Sequence, residues 1–512
     1  MERLFEQLLT LLFTWLGFSI MLRAVGVKTR PGRTLGRMIV GLVRGAWWLT
    51  KILFTASFDL LETIATGLPS PKTTTANVAH AFLTGFPRWR LIRRGHDGIV
   101  VDGRRSLSLD RSFRGAVICS PTGSGKTTSY LIVNALMLSG CSAVITDPSG
   151  EIYKASAGWL HRQGFQIKVF NVSDVAHSHF FNPLHRADSH TAIGQLASTL
   201  IDNAFAENRD QFWNSSAKSL LNVAIRALKT QKLEYANLYN LRYLLNNFGH
   251  DASNLNRVIS GSLDESSFQE WKGILSNEKK VLASILSTCK AATEKVADPN
   301  VARLTASENL HFEDLRGPRP TVIYIIVEES KVRYFSFLTN LLIGQLFDFC
   351  MKPPRPGEPH LPILFLLDEF ANLGRFPDFS ATASQIRKHK CSISIVLQDV
   401  LQLENVYGKA DASSIINGAM ATKVFLSGLP HTTCEHLSRV IGKDEAGRSV
   451  FSAAEIRTLP DSTGLLIHGN RKPVLLDMVP FYKSRKLLAR SRIPPPPLPV
   501  ADISEPLPLL KL

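Results

Sequence analysis

Two short segments far apart in the chain constrain its fold and chemistry most. The first, residues 120–127 (SPTGSGKT), is a glycine-rich run between an apolar run and a stretch with helical spacing. Strand, loop and helix in that order are the context in which a P-loop binds phosphate. The second, residues 364–369 (LFLLDE), is an apolar run that ends in two carboxylates. The pair predicts a nucleoside triphosphatase of the P-loop type, with a large insertion between its two motifs.

The glycine-rich run supplies the groups that a triphosphate needs. Backbone N–H groups of such a turn surround the β-phosphate, and Gly123 and Gly125 permit that close approach. Lys126 is placed to bridge the β- and γ-phosphates, and the hydroxyl of Thr127 to ligate Mg²⁺. Ser120 stands where the usual pattern has its first glycine, so the loop departs from the pattern at one position. ATP and Mg²⁺ are the predicted cofactors, and the residues predicted to bind them in this loop are Gly123, Ser124, Gly125, Lys126, Thr127 and Thr128.

The two acids at the end of the second segment complete this chemistry. Asp368 can hold the magnesium through water, and Glu369 can polarise the attacking water as general base. Neighbouring acids at a strand end are common on their own, and their meaning comes from the P-loop. Because kinases seldom need the second acid, the combination favours hydrolysis over phosphoryl transfer to a small molecule.

Two further polar residues fit the same site and join Asp368 and Glu369 as predicted catalytic residues. Gln398 ends the next apolar run, where it could sense the γ-phosphate or position water. The alternative for Gln398 is an ordinary polar residue at a strand end. Arg387 lies in the basic stretch QIRKHK, and in a ring it could reach the γ-phosphate of the neighbouring subunit as an arginine finger. The alternative for Arg387 is a solvated or DNA-facing charge.

The chain of 512 residues is strongly basic, with a formal net charge of +16 and a pI near 9.6. This balance predicts an acidic partner, of which nucleic acid and an anionic membrane surface come first, and basicity for solubility alone is the alternative. Its six cysteines are scattered without the spacing of metal ligands. They are predicted to be reduced, mostly buried thiols of an intracellular protein, and no structural metal is expected.

The amino-terminal region carries the signs of membrane attachment. Residues 4–22 are apolar apart from Glu6, near the short limit of the roughly 17–25 residues that a spanning helix needs. Residues 35–67 are apolar only in part and have helical spacing, which favours an amphipathic helix at the membrane surface. The linker between them is basic without an acid, so the positive-inside rule places it in the cytoplasm, where the nucleotide is. One span followed by an interfacial helix satisfies both requirements, while two spans, or a soluble protein with a buried helical hairpin, are the alternatives.

The remainder alternates between strand and helix patterns, which is typical of an α/β fold with a parallel sheet. From residue 187 to residue 315 apolar residues recur at spacings of three and four, which predicts a helical insertion. The last two strands are predicted to be antiparallel around Gly469, and the proline-rich tail from Ile493 to be extended and disordered. Strands are predicted at residues 115–120, 142–147, 166–170, 321–327, 363–368, 391–398, 422–426, 464–468 and 474–477, and helices at 127–139 and 334–350.

These patterns divide the chain into five stretches. Residues 1–70 are the predicted membrane anchor, and residues 491–512 the proline-rich tail. The nucleotide-binding domain is predicted in two pieces, 71–186 and 316–490, on either side of a helical domain at 187–315.

Several segments resemble a known family, the conjugative coupling proteins of type IV secretion systems (the TraG/TraD group). The most specific part is LDEFANLG at 367–374, followed by Arg387, Ser392 and Gln398. The family's other recurring segments resemble DPSGE at 147–151, FNPL at 181–184, FW at 212–213 and TKVF at 422–425. The resemblance covers roughly residues 115–482. Ser149 departs from it, because the family often has lysine there.

The resemblance implies a RecA-like nucleotide domain, an all-helical domain inserted into it and a membrane anchor before it. It also implies nucleotide and magnesium binding by Lys126 and Thr127, and hydrolysis by Asp368 and Glu369. Gln398 would be the sensing residue and Arg387 the finger. As partners it implies single-stranded DNA, the attached relaxase and relaxosome proteins, the components of the secretion channel, the membrane and further copies of the chain in a homo-hexamer.

The predicted function is therefore that of a hexameric ATPase at the bacterial cytoplasmic membrane, with most of the chain in the cytoplasm. It would use ATP hydrolysis to deliver single-stranded DNA, with its relaxase, into a conjugation channel. A ring motor of the FtsK or HerA kind is one alternative, and the 367–374 block and the helical insertion argue against it. The other is a docking platform for protein substrates that nucleotide only stabilises, and the intact P-loop and acid pair argue against that.

Overall fold

The computed structural model describes residues 82–205, 211–248, 259–353, 357, 360–443 and 447–511. These residues belong to one compact unit that begins at Thr75. The predicted span at residues 4–22 and the predicted interfacial helix at 35–67 lie outside the described residues.

A nine-stranded mixed sheet forms the centre of this unit, in the order β3-β4-β2-β5-β6-β1-β7-β8-β9. The seven neighbouring strands from β3 to β7 in this spatial order are parallel, and β8 and β9 add an antiparallel hairpin at one edge. Each strand coincides, within a residue or two, with a predicted one, and the antiparallel prediction for the last pair is confirmed. The strands are Ala116–Cys119 (β1), Ser142–Asp147 (β2), Gln166–Asn171 (β3), Thr321–Ile326 (β4), Ile363–Leu367 (β5), Cys391–Leu397 (β6), Thr422–Leu426 (β7), Thr463–His468 (β8) and Val474–Asp477 (β9).

Helices cover both faces of the sheet, as the buried, uninterrupted apolar strands require. In the described residues they are Gly85–Leu91 (α1), Leu109–Ser112 (α2), Ile132–Met137 (α3), Glu151–Arg162 (α4), Pro183–Arg186 (α5), His190–Ala204 (α6), Gln211–Lys229 (α7), Leu238–Asn247 (α8), Glu265–Leu275 (α9), Lys279–Ala292 (α10), Pro299–Leu304 (α11), Val332–Met351 (α12), Phe379–Gln385 (α13), Val400–Tyr407 (α14), Lys409–Ser413 (α15), His431–Ile441 (α16), Ala453–Arg457 (α17) and Arg485–Ser491 (α18).

The connection between β3 and β4 consists of helices α5–α11, and its described residues contain no strand. Its helices share one continuous apolar core with α12 and with one face of the sheet. Helices α3, α4 and α18 pack on the opposite face around a second core.

The helix predicted at 127–139 is divided in two. A π-helical turn, Thr127–Leu131, precedes α3, and the helix ends at Met137 because Leu138 has extended backbone angles. The turn seats Tyr130 inside the core, where its hydroxyl lies 2.7 Å from Ser394 Oγ on β6. Such π-turns are common at functional sites, where they re-aim the side chains at the start of a helix.

Helix α12 contains the predicted helix 334–350 and is unusually apolar. Among the described residues, Glu329–Met351 is the one helix long and apolar enough to span a membrane, with a mean hydropathy of 1.2. However, 61% of that window is buried inside the protein, which is typical of the core helix of a soluble domain. Its partners include helix α6 and strand β5, where the rings of Phe347 and Phe365 lie 5.0 Å apart.

Two minor predictions have different outcomes. All six cysteines are buried free thiols, as predicted. The tail after Ile493 is extended, as predicted, but the expectation of disorder is wrong for its described residues. It is ordered because its main chain is hydrogen-bonded to Ala176, Arg303 and Asn240, and Leu510 near its end is only 5% exposed.

Candidate functional site

The three segments singled out from the sequence meet at one edge of the sheet. The order β5-β6-β1 makes their strands neighbours, and because the strands are parallel, their carboxyl ends lie together. Ser120 follows β1, Asp368 follows β5 and Gln398 follows β6. In parallel α/β sheets ligands bind outside the carboxyl ends of the strands, so this edge is the expected place for a site.

Register then decides which face the polar side chains share. Side chains alternate along a strand, and Leu366 and Val396 belong to the core beneath α3 and α4. Asp368 and Gln398, two positions further along the same strands, therefore point to the face on which α3 lies. The glycine-rich loop leads directly into the helical turn before α3, so the loop and the acids face each other.

The loop has the backbone that a phosphate cradle requires. Gly123 and Gly125 have φ angles of 81° and 91°, in the left-handed region that other residues avoid. The Ser120 N–H donates to the Leu397 carbonyl at 2.9 Å, which fixes the loop to β6. At the other end the Ser129 N–H donates to the Gly125 carbonyl at 2.8 Å. The intervening N–H groups are left at the amino end of a helix, where anions bind.

Ser120, the irregular position, has a structural explanation. It lacks the positive φ that would demand glycine, and its side chain is fully buried. Its hydroxyl lies 2.5 Å from Ser124 Oγ, and Ser124 Oγ in turn donates to the Pro121 carbonyl at 2.6 Å. The two hydroxyls therefore brace the turn from within.

A compact polar cluster joins the loop to the two acids. Lys126 Nζ forms an ion pair with Glu369 Oε1 and lies 3.5 Å from Asp368 Oδ1. Gln398 Nε2 donates to both carboxylate oxygens of Glu369, at 3.0 and 3.2 Å, and Asn372 Nδ2 lies 3.4 Å from Glu369 Oε2. The side chains of Lys126, Asp368 and Glu369 are 14%, 8% and 10% exposed, so their interactions are weakly screened by water. Four of the predicted residues are thus in direct contact.

Burial and charge shift the pKa values in this cluster. Burial raises the pKa of Asp368 to about 6, the Lys126 ammonium opposes that shift, and the Glu369 carboxylate adds to it. For Lys126, burial lowers the pKa, but the two carboxylates together outweigh it and the net pKa shift is upward. Lys126 therefore stays protonated and interacts with both carboxylates.

The two threonines after Lys126 differ in whether their hydroxyls are hydrogen-bonded. Thr128 Oγ1 donates to the Gly125 carbonyl at 3.2 Å, which ties that hydroxyl to the loop. Thr127 is the first residue of the helical turn, and its hydroxyl makes no hydrogen bond to another described residue. Hydroxyl and carboxylate oxygens are the hard donors that Mg²⁺ prefers, so Thr127 and Asp368 fit this ion.

Arg387 does not join this cluster. It is exposed in the turn Ile386–His389 that precedes β6, and the backbone carbonyl of Lys390, three residues later, accepts from the Ile363 N–H at 3.0 Å. That places it at the amino ends of β5 and β6. Strand β6, seven residues long, separates it from the cluster by about 20 Å at roughly 3.3 Å per residue.

The structure adds residues to which the sequence assigned no chemical role. Thr146 Oγ1 donates to the Asp368 carbonyl at 3.0 Å, and Gln402 Oε1 accepts the Gln398 N–H at 3.1 Å. Asp147 ends β2, beside β5, and its Oδ1 is buried without a partner among the described residues. Burial raises the pKa of Asp147 to about 6. The available signal was that β2, like β5, is an apolar strand ending in an acid.

The opposite, amino edge of the sheet is strongly basic. Arg111 Nη1 donates to the Arg90 carbonyl at 2.8 Å, which places the two arginines side by side. Burial, followed by the charges of Arg471 and Arg111 among others, lowers the pKa of His468 to about 4. The described chain begins at this edge, where the Leu83 N–H donates to the Pro473 carbonyl at 2.8 Å.

We expect Asp368→Asn to stabilise the nucleotide-free protein above pH 6. Since the folded-state pKa of Asp368 is raised from 3.8 to about 6, its stabilising form is the protonated one, which is lost as the pH rises through 6. Asparagine does not titrate, so the variant's advantage should grow between pH 4 and 6 to on the order of 1–3 kcal/mol and then stay level. Unfolding in urea across this pH range measures it. Asp461→Asn, an exposed acid, is the control, and parallel curves for Asp368→Asn and wild type would contradict the expectation.

Comparison with known protein families shows to which family this chain belongs. The family described as type IV secretory system conjugative DNA transfer matches residues 90–444, which is more than half of the chain. This chain belongs to that family. The match contains the loop, the two acids, Gln398 and Arg387.

Curated relatives in this family are distant in sequence. The protein VirD4 of Rhizobium radiobacter is 22% identical over 403 residues, which cover 73% of this chain and 57% of the relative. The conjugal transfer protein TraG of Escherichia coli is 25% identical over 364 residues, which cover 66% of this chain and 56% of the relative. The chain thus spans a little under three fifths of the length of these relatives.

Solved structures of the plasmid coupling protein TrwB share the fold. Its complex with the GTP analogue GDPNP superposes with a TM-score of 0.63 at 18% identity, over 78% of this chain and 94% of that chain. Its complex with ADP and Mg²⁺ gives a TM-score of 0.61 at 18% identity, over 76% and 89% of the two chains. This chain therefore shares the mixed α/β architecture of TrwB.

Proposed function

We propose that this protein is a coupling protein of a type IV secretion system, a membrane-anchored hexameric ATPase that moves single-stranded DNA with its relaxase into the conjugation channel. The observation that carries the proposal is the contact of Lys126, Glu369 and Gln398 at the carboxyl edge of the sheet, within a chain of the conjugative DNA transfer family. A buried lysine between two acids, next to an intact P-loop, argues against a chain that only docks other proteins.

In this proposal each residue of the cluster has one task. The loop N–H groups and Lys126 hold the phosphates of ATP, and Thr127 and Asp368 hold Mg²⁺, which screens the phosphate charge. Glu369 orients and deprotonates the attacking water. Gln398 contacts Glu369 directly, so a change at the γ-phosphate that moves Glu369 is passed to β6 and to α14 behind it.

The ion pair between Lys126 and Glu369 defines a resting state. While Lys126 is paired with Glu369, its ammonium is not free to hold phosphates, and the same ion pair occupies the carboxylate that would act as the base. Nucleotide binding would separate the two and free both for their tasks. The acid is thus kept inactive until a triphosphate competes for the lysine.

Arg387 would act in a ring. It lies at the far edge of the sheet from its own cluster, and its exposed guanidinium is available to the neighbouring subunit. An arginine supplied by a neighbour stabilises the charge that develops on the transferred phosphate. Hydrolysis at one interface would thereby be coupled to the arrangement of two subunits.

The remaining parts of the proposal concern partners and place. Helices α5–α11 would form the inserted helical domain, and residues 1–70 the anchor in the cytoplasmic membrane. Support for the anchor is that the described chain begins at the basic edge, where Arg90, Arg111 and Arg471 suit an anionic membrane surface. The net charge of +16 suits a path along the phosphates of single-stranded DNA, without sequence preference.

DNA-stimulated hydrolysis tests the proposal. We expect the full-length protein, purified in detergent or nanodiscs, to release phosphate from ATP faster when single-stranded DNA is added, in a salt-sensitive manner. Hydrolysis that ignored DNA while the protein still bound partner proteins would favour the docking alternative. Stimulation by duplex DNA alone would favour a ring motor of the FtsK kind.

A further inference from the structure

The proline-rich tail begins against helix α4. The carbonyl oxygens of Ile493 and Pro494 lie so close to Gly158 that a Cβ at this position would stand 2.2 Å from each of them. Only glycine therefore allows the tail to lie on α4. Leu498, a few residues later, packs on the same core as α3 and α4. The first part of the tail thus belongs to one face of the sheet.

The tail then passes around the edge of the sheet at β3, the first strand in the order. The Ala501 N–H donates to the Ala176 carbonyl at 2.8 Å, in the turn that directly follows β3. Beyond it, Arg303 of α11 donates from Nη2 to the carbonyls of Ile503 and Glu505, at 3.0 and 2.5 Å. From Ala501 onward the tail contacts the core on the opposite face, which the helical connection covers.

The tail ends in a built site on α8. Asn240 is fully buried, and its side-chain amide makes two hydrogen bonds to the main chain of the tail. Nδ2 donates to the Pro508 carbonyl at 3.0 Å, and Oδ1 accepts from the Leu510 N–H at 2.8 Å. Asn237, the N-cap of α8, holds that amide in place by accepting from Nδ2 at 3.2 Å. The Leu510 side chain, 5% exposed, enters the apolar core beside this pair.

Hydrogen-bond satisfaction and the stiffness of the tail both indicate that this site is more than an incidental contact. The tail's main chain satisfies one donor and one acceptor of the buried Asn240 amide, as a polar group inside a core requires. The prolines between the anchors restrict the free chain to extended conformations, so less entropy is lost when it is held. Main-chain recognition by Asn240 selects an extended backbone, and the apolar pocket selects leucine.

We infer that residues 493–511 form an intramolecular strap that ties the helices α8 and α11 to the sheet, and that its end occupies a peptide-binding site read by Asn240. The site takes an extended, proline-containing segment with leucine two residues after the proline carbonyl that Asn240 binds. While the strap is held, the helical connection cannot swing away from β3. This inference is independent of the nucleotide chemistry.

Hydrogen exchange of the full-length protein tests the strap. We expect the Leu510 amide to be protected in wild type and to exchange about tenfold faster or more in Asn240→Leu, which removes both hydrogen bonds. Asn246→Leu, an exposed asparagine on the same helix, is the matched control and should leave the protection unchanged. Exchange of the wild-type Leu510 amide at the rate of a free peptide would overturn the inference, and so would protection that depends on protein concentration.

A second variant leaves the site itself intact. Leu510→Asp changes only the tail and should release it, so a labelled peptide of residues 499–511 should bind this variant by fluorescence anisotropy. The same peptide should bind wild type at least tenfold more weakly, because the site is occupied, and Asn240→Leu weakly as well. Equal binding to Leu510→Asp and Asn240→Leu would mean that Asn240 does not read the peptide, and the site would be refuted.

Discussion

Glu369→Gln is expected to abolish ATP hydrolysis and to tighten nucleotide binding at the same time. Glutamine keeps the shape of the side chain but cannot accept a proton, so phosphate release should fall by roughly 10²- to 10⁴-fold. The same change removes the charge that holds Lys126 in the nucleotide-free protein. Lys126 then reaches the phosphates at a smaller cost, and the dissociation constant for a fluorescent ATP analogue should fall by about threefold to tenfold, roughly 1 kcal/mol.

The opposite signs of the two effects make this experiment discriminating. Glu151→Gln is the matched control, because Glu151 is an exposed acid at the same edge of the sheet, after β2. Neither hydrolysis nor affinity should change in that variant. A Glu369→Gln protein that hydrolyses ATP at close to the wild-type rate would refute the role of Glu369 as base. Unchanged or weaker nucleotide binding would refute the resting ion pair.

Lys126→Ala and Arg387→Ala are each expected to be inactive alone and to restore activity when mixed. In the proposed ring both groups act on the transferred phosphate, Lys126 from its own subunit and Arg387 from the neighbour, so loss of either should lower hydrolysis by roughly 100-fold or more. In a mixed ring, a site works when its own subunit retains Lys126 and its neighbour retains Arg387. Half of the subunits meet each condition, so about a quarter of the wild-type rate should return on equal mixing. Co-expression with two affinity tags provides the mixed rings.

The controls separate the finger from general basicity. Lys388→Ala removes an exposed charge next to Arg387 and should keep full activity. Arg387 is exposed, so its loss should leave the thermal midpoint unchanged. Full activity of Arg387→Ala would remove this arginine from the mechanism. A mixture as inactive as its two parents would show that no site is completed by a neighbour.

Much of the fold follows from local pattern. The strands are short, largely apolar runs buried on both faces, and such runs are recognisable without knowing their neighbours. The helix after the loop was predicted as one element, whereas Thr127–Leu131 is a π-turn. Periodicity does not distinguish a π-turn from an α-helical turn, and the contact between Tyr130 and the Ser394 hydroxyl joins residues far apart in the sequence. The tail was expected to be disordered for a similar reason, since its partner, Asn240, lies far away in the sequence.

The same contrast between local pattern and long-range contact applies to the candidate site. The sequence alone identified Lys126, Asp368, Glu369 and Gln398, because each residue type stands next to a strand or loop pattern that gives it a chemical meaning. Only the tertiary structure brought Lys126 into an ion pair with Glu369, and only the strand order placed Arg387 at the opposite edge. Motifs record local backbone geometry, which neighbouring residues determine. Strand order and long-range ion pairs depend on how the whole chain packs, and no short segment contains that information.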